Sequence, residues 1–245
     1  MTPLLRAELL KLRTTRTFAG FVGASLALSL LVVGLTALIA DDLGRDDVRE
    51  LFTFDFTGLF ILLLGVIGMA GEWRHRTITS TVLAAPDRVR LLAAKALSYA
   101  VAGAVLSLVV TVTFMLVGTV ILSARDEVTA TVGTLADVLW RNLLVAALLG
   151  AFGVCIGGIV RNQVVAMIGL LVFAFAIEPT ILGLAEHVGR FGPTAGAPTG
   201  IVGGEVFDGG GPGLLAPGVA VLVMLGWIAA GFAAAAWLLR RRDLT

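Results

Sequence analysis

Apolar runs long enough to cross a bilayer recur along the chain, at residues 18–40, 51–70, 96–122, 139–160, 164–184 and 217–239. A helix rises about 1.5 Å per residue, so about twenty residues cover a hydrocarbon layer about 30 Å thick. Inside that layer no water is available to backbone N–H and C=O groups, and apolar helices satisfy all of them internally. Charged residues make up 14% of the chain and hydrophobic ones 58%, against about a quarter charged in soluble domains. The expectation is an all-α integral membrane protein, with six transmembrane helices in one domain over residues 1–245. The first run is too long for a signal peptide's apolar region of about 7–15 residues, so it is expected to remain as the first span.

Six spans place both termini on one side, and the cations say which. Arg6, Lys11, Arg13, Arg16, Arg74, Arg76, Arg88, Arg90, Lys95, Arg161 and Arg240, Arg241 and Arg242 fall on the amino-terminal side. Arg45, Arg49, Arg125, Arg141 and Arg190 fall opposite, among most of the acidic residues. The positive-inside rule then puts both termini in the cytoplasm, in a cell membrane of bacterial type. The net charge of +1 gives no argument for a nucleic-acid partner.

Between the second and third runs lies the longest charged insertion, residues 71–95, with four arginines and Lys95 against Glu72 and Asp87. Ahead of Pro86, Ile78, Val82 and Leu83 are spaced to lie near one side of a short helix. Two readings fit: an ordinary loop whose arginines fix orientation, or a helix whose apolar edge docks on a soluble partner. At the amino terminus, Leu5, Leu9 and Leu12 share one face beside Arg6 and Arg13. That is the pattern of an amphipathic interfacial helix over residues 3–17, although a plain basic anchor would use the same residues.

The order of residue types in 71–95 resembles the cytoplasmic loop of type-two ATP-binding-cassette exporter permeases, of the multidrug or lipid efflux type. Glu72 ends the second span, Thr77 and a segment containing Leu83 follow, then Pro86 and Arg88 form a Pro-x-Arg turn, and Lys95 enters the third span. One departure is Arg76, where the family has glycine before the threonine; as an i,i+4 partner it could neutralise Glu72. The resemblance implies that 71–95 holds a coupling helix, with Glu72, Arg76, Thr77, Ile78, Val82, Leu83, Pro86 and Arg88 as the ATPase-coupling residues. Glu72 would hold the base of the lever through Arg76 or through Arg13. It further implies an interfacial helix at the amino terminus, re-entrant segments within 185–216, and a second permease copy, identical or related.

No G-x-x-x-x-G-K-[ST] phosphate loop is present. The resemblance therefore assigns ATP and magnesium to a separate cytoplasmic ATPase subunit, with no cofactor on this chain. Catalysis finds no support either. His75 and His187 both lie in loops, and two distant histidines with a buried Cys155 do not bring three zinc ligands within reach of one another. Cys155, in an apolar run, reads as a small buried hydrophobe.

Within the spans, Glu178 followed by Pro179 is the most costly pair. An intramembrane carboxylate faces protein or water and often marks a pathway, and the proline should kink the fifth span. Asp55 sits at a similar outer depth on the second span. These three residues are either the substrate path and outer gate or, for the carboxylates, groups that reach the headgroup layer and do nothing more. Gly153 and Gly157 form a G-x-x-x-G step, expected to pack within the chain against the fifth span, since only residues 161–163 separate spans four and five. The expected function is export of a hydrophobic or amphipathic substrate from the cytoplasm or inner leaflet, driven by separate ATPase subunits. The alternative is a scaffold or channel-like protein without an ATPase.

Overall fold

Glycine decides which helices meet. The computed structural model describes residues 2–39, 45–53, 55–75, 77, 87–124, 130–203 and 213–241. Its helices are α1 (Thr2–Thr14), α2 (Arg16–Ile39), α3 (Arg45–Thr53), α4 (Thr57–Arg74), α5 (Arg88–Ser123) and α6 (Val132–Ile159). They continue with α7 (Gln163–Val172), a π-helical turn (Phe173–Ile177), α8 (Glu178–Leu184), α9 (Glu186–Gly189), α10 (Gly196–Val202) and α11 (Pro217–Arg241). Among the described residues there is no strand, and six helical stretches are long and apolar enough to cross a membrane.

At the centre, α4, α5 and α6 touch backbone to backbone. A Cβ on Gly153 would lie 2.2 Å from the Leu62 carbonyl oxygen, and one on Gly65 would lie 2.7 Å from that of Gly150. A Cβ on Gly103 would lie 2.4 Å from the Ala146 oxygen. With no hydrophobic force between helices inside a bilayer, such close approach is what van der Waals association needs. The G-x-x-x-G step does pack within the chain, but against α4: Gly157 abuts Val66. The expected hairpin of spans four and five is corrected here. The short connection sets proximity at one end only, and α7 leans on α4 instead of running along α6.

Polarity is inverted relative to a soluble protein. Leu31, Leu35, Leu116, Val120, Val165, Ile168, Phe175 and Leu222 are exposed, while Ser25, Ser29, Ser98, Ser107, Thr111 and Asn142 are buried. The buried groups find internal partners: Asn142 donates to the Phe52 carbonyl at 3.2 Å, and Ser29 accepts from the Phe56 N–H at 3.3 Å. A second apolar cluster, with Phe114 edge-on to Phe52, joins α2, α3, α5 and α6 at the end of the molecule opposite Glu72.

Three helices differ from the apolar runs that mark them. The second run, 51–70, is interrupted: α3 ends at Thr53 and α4 begins at Thr57, with Asp55 between. The third-span helix starts at Arg88, because Asp87 caps it by accepting the Val89 and Arg90 N–H groups at 3.0 and 3.1 Å. Lys95 therefore lies two turns inside the helix. Where the sequence predicts a proline kink, the fifth span has a π-helical turn directly before Glu178 and Pro179, a register change that accommodates the N–H missing from proline.

Candidate functional site

A lysine two turns inside a helix of a membrane protein needs a counter-charge, and α1 supplies half of it. The Lys95 side chain is 0% exposed, with Nζ 2.7 Å from Glu8 Oε2 on α1 and 2.8 Å from Glu72 Oε1 on the last turn of α4. Lys11, one turn beyond Glu8 on α1, places its own Nζ 2.9 Å from the same Glu72 oxygen. Two lysines and two glutamates thus close a neutral cluster that fastens α1, α4 and α5 together. Glu72 Oε2 is enclosed and meets no hydrogen-bond partner among the described residues. Burial pulls the Lys11 pKa down, but the hydrogen bond and charge of Glu72, with the charge of Glu8, outweigh that and hold it above its usual 10.5.

The cluster sits beside the start of the 71–95 loop. The Thr77 N–H donates to the Glu72 carbonyl at 2.9 Å, extending the end of α4. Arg88, at the start of α5, donates to the Leu239 carbonyl near the end of α11. Arg76, Ile78, Val82, Leu83 and Pro86 lie outside the described residues, as does the expected Glu72–Arg76 pair. For the other expected partner the structure is a correction: the residue of α1 that reaches Glu72 is Lys11, not Arg13, because the inward face of α1 carries Glu8 and Leu12 and Lys11 stands at its edge. Glu8 and the burial of Lys95 were missed from sequence. The available signal was two charges of opposite sign, Glu8 and Lys95, each set among apolar residues.

At the opposite end the two intramembrane carboxylates part company. The Asp55 Oδ1 accepts the Thr57 N–H at 3.2 Å, which starts α4, while Oδ2 accepts from Thr111 and from Ser107 at 3.4 Å on α5. Asp55 also borders a cavity of about 270 Å³ shared by α4, α6 and α10, with Asn142, Thr194 and Thr199 among its walls. A neighbouring cavity of about 230 Å³ continues from Asp55 to Phe175.

Glu178 is 1% exposed. Both of its oxygens are occupied: the N–H groups of Thr194, Ala195 and Gly196 donate at 2.9, 2.7 and 2.8 Å, and the Thr194 hydroxyl donates as well. It caps the turn leading into α10. Neither expectation for Glu178 describes this role, which belongs to a staple between the fifth span and the segment after it. Pro179 follows in the first turn of α8. Gly192 is part of the staple, since a Cβ there would lie 2.1 Å from Glu178 Oε1.

Against known proteins, residues 4–177 match a family model described as ABC-2 family transporter protein. No curated protein matches the chain.

Proposed function

The chain belongs to the ABC-2 transporter family, and on that premise we propose that it is the membrane-spanning subunit of an exporter driven by a separate cytoplasmic ATPase. The substrate is hydrophobic or amphipathic and leaves from the cytoplasm or the inner leaflet. Two copies, or this chain and a related one, form the pathway. Both termini and residues 71–95 face the cytoplasm of a bacterial-type cell. Residues 77–85 receive the motion of the ATPase, and ATP and magnesium bind to that subunit and not to this chain. Asp55, beside the outer cavity, borders the exit, and segments within 185–216 re-enter the membrane from outside.

The observation that carries this reading is the enclosed Glu8–Lys95–Glu72 cluster, with Lys11 at its rim. Helices α4 and α5 flank the loop, so a push on the loop arrives at both. A charge-paired anchor of low exposure resists shear better than exposed pairs, which contribute little. Force on 77–85 is thus passed to α1, α4 and α5 as one body. The partner lever residue for Glu72 is Lys95, with Lys11 behind it.

The test is Glu72→Gln in reconstituted vesicles holding the permease and its ATPase. The complex stays assembled, while ATP hydrolysis loses its dependence on substrate. Substrate-stimulated hydrolysis equal to that of the native chain would remove Glu72 from the mechanism.

A further inference from the structure

At the same end of the molecule as Glu72, but on the other side of α4, lies a recess of about 370 Å³ lined by Trp73, Arg74, Arg161, Asn162, Gln163 and Val164. It is formed where the last turn of α4 meets the connection between α6 and α7. Among the described residues its lining carries two arginines and no acidic side chain. The Arg161 guanidinium lies 4.3 Å from the centre of the Trp73 ring, a stack that holds the cation in place. The Trp73 indole N–H is enclosed and meets no acceptor among the described residues. A buried donor of this kind costs stability unless something accepts from it. The Glu72 carboxylate is turned away, into contact with Lys95 and Lys11.

What leads out of the recess is apolar. Val164, Val165 and Ile168 on α7 are 50%, 58% and 57% exposed, and their spacing keeps them close together on one side of the helix. Gln163 Oε1 is also enclosed and meets no donor among the described residues, but the two guanidinium groups and the Trp73 N–H outnumber it. A ligand that meets them has an anionic group with several acceptor oxygens at one end and a hydrocarbon chain at the other. Basic recesses between transmembrane helices at headgroup depth suit phosphate-bearing lipids, and guanidinium groups match phosphate geometry. A free phosphate would leave the apolar strip unused, and a zwitterionic headgroup would bring its ammonium against the arginines.

We propose that this recess binds one anionic phospholipid, with the phosphate between Arg74, Arg161 and the Trp73 N–H and an acyl chain along Val164, Val165 and Ile168. The proposal does not depend on coupling to an ATPase, so its failure would leave that reading standing.

The experiment is native mass spectrometry of the full chain, delipidated in mild detergent and titrated with phosphatidylglycerol, phosphatidylcholine or inorganic phosphate. One phosphatidylglycerol per chain is retained under conditions that strip phosphatidylcholine, and inorganic phosphate does not displace it. Arg161→Gln weakens retention about tenfold, the size of effect expected for loss of a hydrogen bond to a charged group. Trp73→Phe keeps the ring, removes the N–H and weakens retention less. Arg74→Gln, at an exposed position, provides a folded variant should Arg161→Gln not fold, and Arg241→Gln, beside Trp237, leaves retention unchanged. Equal retention of the two lipids, native retention in the recess variants, or displacement by inorganic phosphate alone would each overturn the assignment.

Discussion

Replacing Lys95 by methionine, which keeps most of the side-chain volume, isolates the charge at the centre of the cluster. In the native chain the ammonium is fully enclosed and pairs with Glu8 at 2.7 Å and Glu72 at 2.8 Å. Its loss leaves two enclosed carboxylates and only Lys11, 54% exposed, beside them. Removing one member of a buried pair costs about 3–5 kcal/mol, because the surviving charge has lost its solvation and gained nothing. For a chain of this length that corresponds to a fall in melting temperature on the order of 10 °C. The assay is thermal unfolding of the full chain in detergent. Adding Glu8→Gln to Lys95→Met removes one of the stranded charges and should recover part of the loss, a non-additivity that a double-mutant cycle measures. If Lys95→Met melts within about 2 °C of the native chain, or if the second substitution adds to the damage, the cluster is not a charge-paired anchor.

Other consequences are independent of that one. Gly153→Ala would bring a Cβ to 2.2 Å from the Leu62 carbonyl oxygen and should destabilise by about 1–3 kcal/mol by forcing α4 and α6 apart; thermal unfolding of the variant checks this. Glu178→Gln should speed amide exchange at Thr194, Ala195 and Gly196 by at least about tenfold, as charge-assisted bonds become neutral ones, with Gly192→Ala producing the same local loosening by steric displacement. The raised pKa of Lys11 keeps its contribution intact below the usual 10.5 and removes it only at higher pH. Amine acylation at mildly alkaline pH should therefore be slow at Lys11 and slower still at enclosed Lys95, and Glu72→Gln should accelerate it at Lys11.

The six spans were legible because each is a local property: an apolar run of sufficient length must form its own backbone hydrogen bonds in lipid. Glu72 could be singled out from the order of residues around it, whereas its partners could not. That α1 sets Glu8 against Lys95 of α5 and Lys11 against Glu72 of α4 is a tertiary fact, and residue order alone pointed to Arg13. Asp55 hides in an apolar run, so the break between α3 and α4 has no signature beyond that carboxylate. The pairing of α7 with α4 has no mark in the sequence, because a short connection fixes proximity at one end and not which helix the next one packs on. Glu178 was visible as a costly charge, but its donors are backbone N–H groups 16 to 18 residues along, and backbone groups leave no trace in residue type.

The central claim is that this membrane subunit works by receiving motion from a separate nucleotide-hydrolysing chain. The direct measurement is purification of the full chain from its own membranes in mild detergent, with identification and quantification of every polypeptide that stays bound. The account predicts an ATP-binding subunit, retained in equal molar amount to the permease. Recovery of the permease alone, under conditions that preserve its fold, would contradict it.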